Sequence, residues 1–247
     1  QWISLIISLT TVSLICKEFG LSQRLQLISA VFICSLPIVL LQASSTQNDI
    51  VASTFILLFY YYQIILVKEY SISSICFAGL ALGLGILTKG TSYILLFATG
   101  ITYLAYLVFF KIWDIKNIIF RYGIIFSIGL LINLPHYLRN LFKYNDFLGL
   151  GTLPSVINEF FSLGVMFSNL IRHIAYQLGT NINIINWYIY RVVKILLGNE
   201  ISNPKTSFLD RDFRPPFFSL HEDSAGNAIH TLVIIIIFFI SLIFIKK

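Results

Sequence analysis

Four groups of polar residues interrupt a chain that is otherwise strongly apolar, and each carries side chains able to hold an ion or move a proton. Asp49 follows Gln42-Ala-Ser-Ser-Thr-Gln-Asn48 and opens the next apolar run. A carboxylate there can line a cavity and bind a metal, a sugar hydroxyl or an amine. As an acid at a helix start, it also suits the positive end of the helix dipole. Lys89 ends the stretch Gly79-Leu-Ala-Leu-Gly-Leu-Gly-Ile-Leu-Thr-Lys-Gly90. It either binds an anion such as a lipid phosphate or snorkels to the headgroups along its aliphatic stem. Arg139 stands in Pro135-His-Tyr-Leu-Arg139-Asn140, where a guanidinium can take phosphate with two hydrogen bonds. Pro135 can kink or end the helix that delivers it.

The fourth group is His221-Glu222-Asp223, with Asn227 and His230 following. Its oxygen and imidazole ligands suit a divalent cation. Glu222 or Asp223 can instead act as a general base in a site that raises its pKa toward neutrality, or the whole group can be a solvated loop before a helix cap. The sequence contains no hydrolytic triad, phosphate loop or dinucleotide fingerprint.

The elements that position these groups follow from composition. Of 247 residues, 57% are hydrophobic and 11% charged, against roughly 25% charged in soluble domains. A globule of this size cannot hide so much apolar surface, so lipid is its solvent. Seven stretches read as membrane helices: 2–16, 25–41, 49–67, 72–88, 91–110, 121–137 and 230–245. Crossing the hydrocarbon takes about 20 residues, so the shorter ones need thin membrane or interfacial Tyr and Trp. The expected fold is all-α, a polytopic transmembrane bundle with a transmembrane region over 1–137, a long loop over 138–229 and a last span over 230–247.

The net charge of +6 does not form a patch, which argues against nucleic acid. Instead Lys17, Arg24, Lys68, Lys111, Lys116, Arg121, Lys246 and Lys247 fall on one side if the spans alternate. The opposite short loops contain only Lys89. By the positive-inside rule the first side is cytoplasmic, and 138–229 lies outside. Within that loop Val156, Phe160, Leu163, Phe167, Leu170 and Ile174 repeat at helical spacing, and a second stretch runs from Ile185 to Leu197 before Gly198. Both suit helices lying in the membrane interface; short spans or a small external subdomain are the alternatives. Cys16, Cys34 and Cys76 sit in apolar runs and read as small hydrophobes.

The order of these motifs resembles the C-type glycosyltransferase superfamily, in the branch of protein mannosyltransferases and aminoarabinose transferase-like enzymes. The stretch Leu36-Pro37 through Ser44-Ser-Thr-Gln-Asn-Asp49 is similar to that family's proline-containing span and its Thr/Ser-x-x-Asp loop. Gly79 to Gly90 resembles its glycine-rich span ending in Leu-Thr-Lys-Gly. Pro135…Arg139-Asn140, with Gly149, resembles its Pro-x-x-x-Arg-Asn exit. The resemblance covers about residues 1–150 and implies transfer of a sugar from a polyprenyl-phosphate donor to an acceptor on the external face.

By that resemblance, Lys89 and Arg139 would neutralise donor phosphate, and Asp49 would line the pocket near the acceptor or a divalent cation. The principal catalytic acid of such enzymes lies in the first external loop, expected here before Gln1. Two other classes remain: a transporter or flippase of lipid-linked substrates, and a non-catalytic membrane subunit.

Overall fold

The computed structural model describes residues 1–149, 162–203, 206, 212–221 and 225–244, and every regular element among them is helical. These helices are α1 (Trp2–Glu18), α2 (Gln23–Cys34), α3 (Pro37–Ala43), α4 (Asp49–Lys68), α5 (Ile72–Thr88), α6 (Ser92–Phe109), α7 (Ile115–Tyr144), α8 (Leu163–Gln177), α9 (Asn183–Leu197) and α10 (Ala228–Phe244). A helix thus occupies each of the seven apolar stretches. By length and composition α4, α6 and α7 can cross a membrane, while α5 and α10 are apolar but only 17 residues long.

Two expectations need correction. The stretch 25–41 is not one helix: α2 and α3 meet at a bend of 71°. Pro37 cannot donate a backbone hydrogen bond and disfavours helical geometry at Leu36, so the chain breaks there. Conversely, Pro135 does not end its helix. α7 runs 30 residues through it and stops only at Asn145, which adopts a left-handed conformation with φ 51°. The start of α7 is fixed by Asp114, whose side chain accepts from Asn117 N at 3.0 Å.

The chain divides into two compact units. The first holds α1, α2 and α4–α7. Its core gathers Phe59, Leu66, Ile75, Ala78, Leu82, Leu96 and Ile125 from α4 to α7. The glycines of α5 allow a close helix approach. A Cβ on Gly79 would lie 2.8 Å from Ile128 Cβ, and one on Gly83 would lie 3.1 Å from the Gly129 backbone, so α5 and α7 pack nearly backbone to backbone. Asn133, fully buried, donates across that seam to the carbonyl of Gly83 at 2.9 Å. These contacts advance in the same direction along both helices, so α5 and α7 run parallel with α6 returning between them in sequence.

One end of this unit collects basic residues. Lys68 pairs with Glu18 at 2.7 Å. Arg121 is buried with its guanidinium 3.9 Å from the Trp113 ring and 4.8 Å from that of Tyr70, and it donates to Leu66 O at 3.2 Å. Lys111 and Lys116 flank the turn that carries Trp113. Because planar stacking between two rings needs a guanidinium, Arg121→Lys should destabilise the protein by about 2 kcal/mol. Thermal unfolding in detergent checks this against Arg24→Lys, which should change little.

The second unit comprises Leu36–Leu41 and the chain from Leu150 onward. Ser162 caps α8, accepting from Val165 N at 3.2 Å, and Gly198 ends α9 with φ 54°. Ala175, Val193, Ile201 and Phe213 form the core. The first part of the expected interfacial helix, with Val156 and Phe160, lies outside the described residues. In the rest, Leu163, Phe167 and Leu170 face outward while Ser168 and Arg172 are buried. Arg172 is held by Asn169 Oδ1 at 2.5 Å and by Thr206. Burial pulls its guanidinium below the ordinary arginine range, opposed by Tyr176 and Glu200. On α9, Ile184, Tyr188, Val192 and Ile195 are also exposed. Both helices thus carry an outward apolar stripe, while their buried faces mix Val165, Ala175 and Val193 with the polar Ser168, Arg172 and Asn186.

Candidate functional site

The end of the first unit opposite the basic cluster is built from the start of α4, the end of α5 and the start of α6. Asn48 donates its side-chain amide to Thr88 O at 2.7 Å, satisfying a carbonyl at the terminus of α5. Thr88 Oγ donates to Leu84 O, also at 2.7 Å. Lys89 then leaves the helix in extended conformation (φ −156°, ψ 133°), with its N–H on Gly85 O at 3.3 Å.

This geometry carries the Lys89 ammonium to Asp49, where Nζ lies 2.5 Å from Oδ1. Two residues 40 apart in sequence, each singled out for its own chemistry, thus form one ion pair. Their side chains are 30% and 32% exposed, so the pair is reachable from outside the bundle. Pairs of this accessibility contribute about 0.2–1 kcal/mol.

Tyrosines close this end toward α7. The hydroxyls of Tyr93 and Tyr137 lie 2.5 Å apart, and the Tyr137 ring stacks on Phe147 with centroids at 4.3 Å. Neither tyrosine stood out in the sequence among 13 of its kind. The available signal was position, Tyr93 one helical turn after Lys89 and Tyr137 between His136 and Arg139.

Arg139, two residues beyond Tyr137, is exposed, and its Nη2 lies 3.1 Å from His136 Nδ1. His136 Nε2 lies 3.1 Å from the Asn140 amide nitrogen. Gly149 packs against that amide with φ +72°, and a Cβ there would come within 3.1 Å of it. The Pro-x-x-x-Arg-Asn segment is therefore an organised local cluster on an unbroken helix.

Of the fourth group, His221, Asn227 and His230 are described; the His221 N–H donates to Ser219 Oγ at 2.9 Å. Glu222 and Asp223, assigned to catalysis or a metal from the sequence, lie outside the described residues. Among the described residues no three His, Cys, Asp or Glu side chains gather as a metal site. Asn227 is committed elsewhere, donating its amide to Gln177 Oε1 at 2.6 Å and accepting from Ile38 N at 3.4 Å.

Comparison with known proteins identifies a family over the first part of the chain. The family described as dolichyl-phosphate-mannose-protein mannosyltransferase matches residues 1–138 of 247, a stretch that contains both Asp49 and Lys89 and stops one residue before Arg139. No curated protein and no solved structure gives a significant match. The family works on the membrane and implies a lipid-linked sugar donor. A helical membrane bundle whose matched region spans more than half of the chain thus belongs to the dolichyl-phosphate-mannose-protein mannosyltransferase family, and the protein is an integral membrane glycosyltransferase.

Proposed function

We propose that the protein moves a sugar from a polyprenyl-phosphate donor to an acceptor on the external face of the membrane, with Lys89 as the group that takes the donor phosphate. The observation that supports this most is the Asp49–Lys89 pair, a cation and a carboxylate both about one-third exposed at this end of the bundle. Its end of the bundle lies opposite the Lys17, Lys68, Lys111 and Arg121 end, and the positive-inside rule assigns that basic end to the cytoplasm. Arg139, exposed on α7, is the second cation for the phosphate. The outward apolar stripes of α8 and α9 support their reading as interfacial helices of an external segment.

In this reading the lipid phosphate draws Lys89 away from Asp49. The carboxylate, freed of its cation, can then accept a hydrogen bond from the acceptor. The acceptor atom then bonds to the anomeric carbon as the carbon–oxygen bond to phosphate breaks, and the lipid phosphate leaves with the electron pair. Lys89 and Arg139 stabilise the charge that grows on it. The acceptor's proton passes to a carboxylate, for which Asp49, Glu222 and Asp223 are the candidates in this chain.

Membranes containing the full-length protein, given radiolabelled polyprenyl-phosphate sugar, should transfer label to an endogenous acceptor. Asp49→Asn should slow that transfer about tenfold or more, the worth of one charge-assisted hydrogen bond. Transfer from a nucleotide sugar in the absence of any lipid-linked donor would overturn the donor assignment.

A further inference from the structure

At the basic end of the first unit a groove of about 390 Å³ lies on α4, between the end of α1 and the face of α6. That volume is within the range of ligand pockets, about 300–1,000 Å³. Its walls are the rings of Phe19, Tyr60, Tyr103 and Tyr106, and its charged edge is the Glu18–Lys68 pair. The Tyr103 hydroxyl is already bonded to the Gln63 carbonyl, which fixes that wall against α4. Phe97, Ile101 and Tyr106 of α6 are exposed, and α6 is one of the helices able to cross the membrane, so the surface beside the groove faces hydrocarbon.

We propose that this groove binds a phospholipid whose headgroup carries both a phosphate and a primary ammonium, one acyl chain lying among the aromatic rings. Lipid is the solvent on this surface, and the apolar walls match a hydrocarbon chain. The two ionised groups at the edge are of opposite sign. Lys68 is 48% exposed, whereas Glu18 is 19% exposed. Lys68 therefore offers its free side to a phosphate while Glu18 accepts hydrogen bonds from an ammonium. One protein ion pair becomes a four-charge ring in which each group keeps an opposite neighbour. A purely anionic headgroup would leave Glu18 facing a like charge, and a quaternary amine would give its carboxylate no N–H donor. The proposal is independent of the donor site, which lies at the other end of the same helices.

The full-length protein in mild detergent, mixed with equal amounts of phosphatidylethanolamine, phosphatidylcholine and phosphatidylglycerol, tests this by native mass spectrometry. One phosphatidylethanolamine per chain should be retained in preference to the others. Glu18→Gln should lower its preference over phosphatidylcholine about tenfold, the effect of one lost charge-assisted hydrogen bond. Lys68→Met should weaken all three. A phosphatidylethanolamine with a photoreactive acyl chain should label Tyr60, Tyr103 or Tyr106 in the wild-type protein, a readout that needs no variant to fold. Equal retention of the three lipids, preference for phosphatidylglycerol, or label confined to outward residues such as Phe97 and Ile101 would overturn the proposal. So would a second copy of the chain cross-linked through Tyr103.

Discussion

Lys89→Ala should lower sugar transfer by about 10²–10³-fold, the range seen when one preorganised group is removed from a developing negative charge. The argument is geometric. Lys89 ends α5 in extended backbone, the Asn48 amide holds the neighbouring Thr88 carbonyl, and Asp49 holds the ammonium at 2.5 Å. The cation is thus positioned before any donor arrives, and little ordering remains to be done when the phosphate binds. Lys89→Arg keeps the charge but changes its shape and reach, so it should recover only part of the rate. Because the ion pair itself contributes about 1 kcal/mol at most, the variant should remain folded. Thermal unfolding measured alongside transfer separates the two effects. An alanine variant that transfers at the wild-type rate would remove Lys89 from the mechanism.

Gly83→Val should destabilise the protein more than any other single change considered. A Cβ at this position meets Ile132 Cβ and the Gly129 backbone, each at 3.1 Å, and Ile132 Cδ1 at 2.6 Å. The Cδ1 methyl can rotate away, but the α7 backbone cannot move without taking the helix with it. Overpacking of this kind costs about 1–3 kcal/mol for the first added groups, and valine adds two more methyls. Separation of the helices would also break the Asn133–Gly83 hydrogen bond, leaving the Asn133 amide only its bond to Gly129 O on its own helix. Gly123→Ala provides the contrast, because a Cβ there meets nothing within 4 Å. In the interior of α7 that change should be neutral or stabilise by about 1 kcal/mol. Unfolding of both variants in the same detergent checks the pair; equal effects would show that the α5–α7 seam is looser than its geometry implies.

Much of this architecture is legible in the sequence, for identifiable reasons. Apolar runs report where helices lie because membrane helices need no more information than that. The Gly79 and Gly83 spacing announces a close approach by some helix, but a single sequence does not say that the partner is α7. Asp49 and Lys89 each stand out as polar residues at the end of an apolar run. Their pairing depends on α4 and α5 being antiparallel neighbours of matched length, which no local pattern encodes. The bend at Leu36 was available from Pro37 and was masked by uniformly apolar flanks.

Pro135, read as able to kink or end its helix, lies inside one continuous helix. Proline is tolerated in a membrane helix when neighbouring packing maintains it, and Tyr137 with its bond to Tyr93 supplies contact immediately beyond the proline. The inward placement of Ser168 and Arg172 on α8 was hidden because helical periodicity finds the apolar face without saying which way it points.

The central claim is that donor phosphate and Asp49 compete for the Lys89 ammonium. Equilibrium binding of radiolabelled polyprenyl phosphate to the purified full-length protein tests it most directly, because no transfer step is involved. The account predicts effects of opposite sign: Lys89→Ala weakens binding, while Asp49→Asn frees the ammonium and tightens it by about threefold or more, the release of an ion pair worth up to about 1 kcal/mol. Weaker binding in both variants, or unchanged binding in Lys89→Ala, would contradict it.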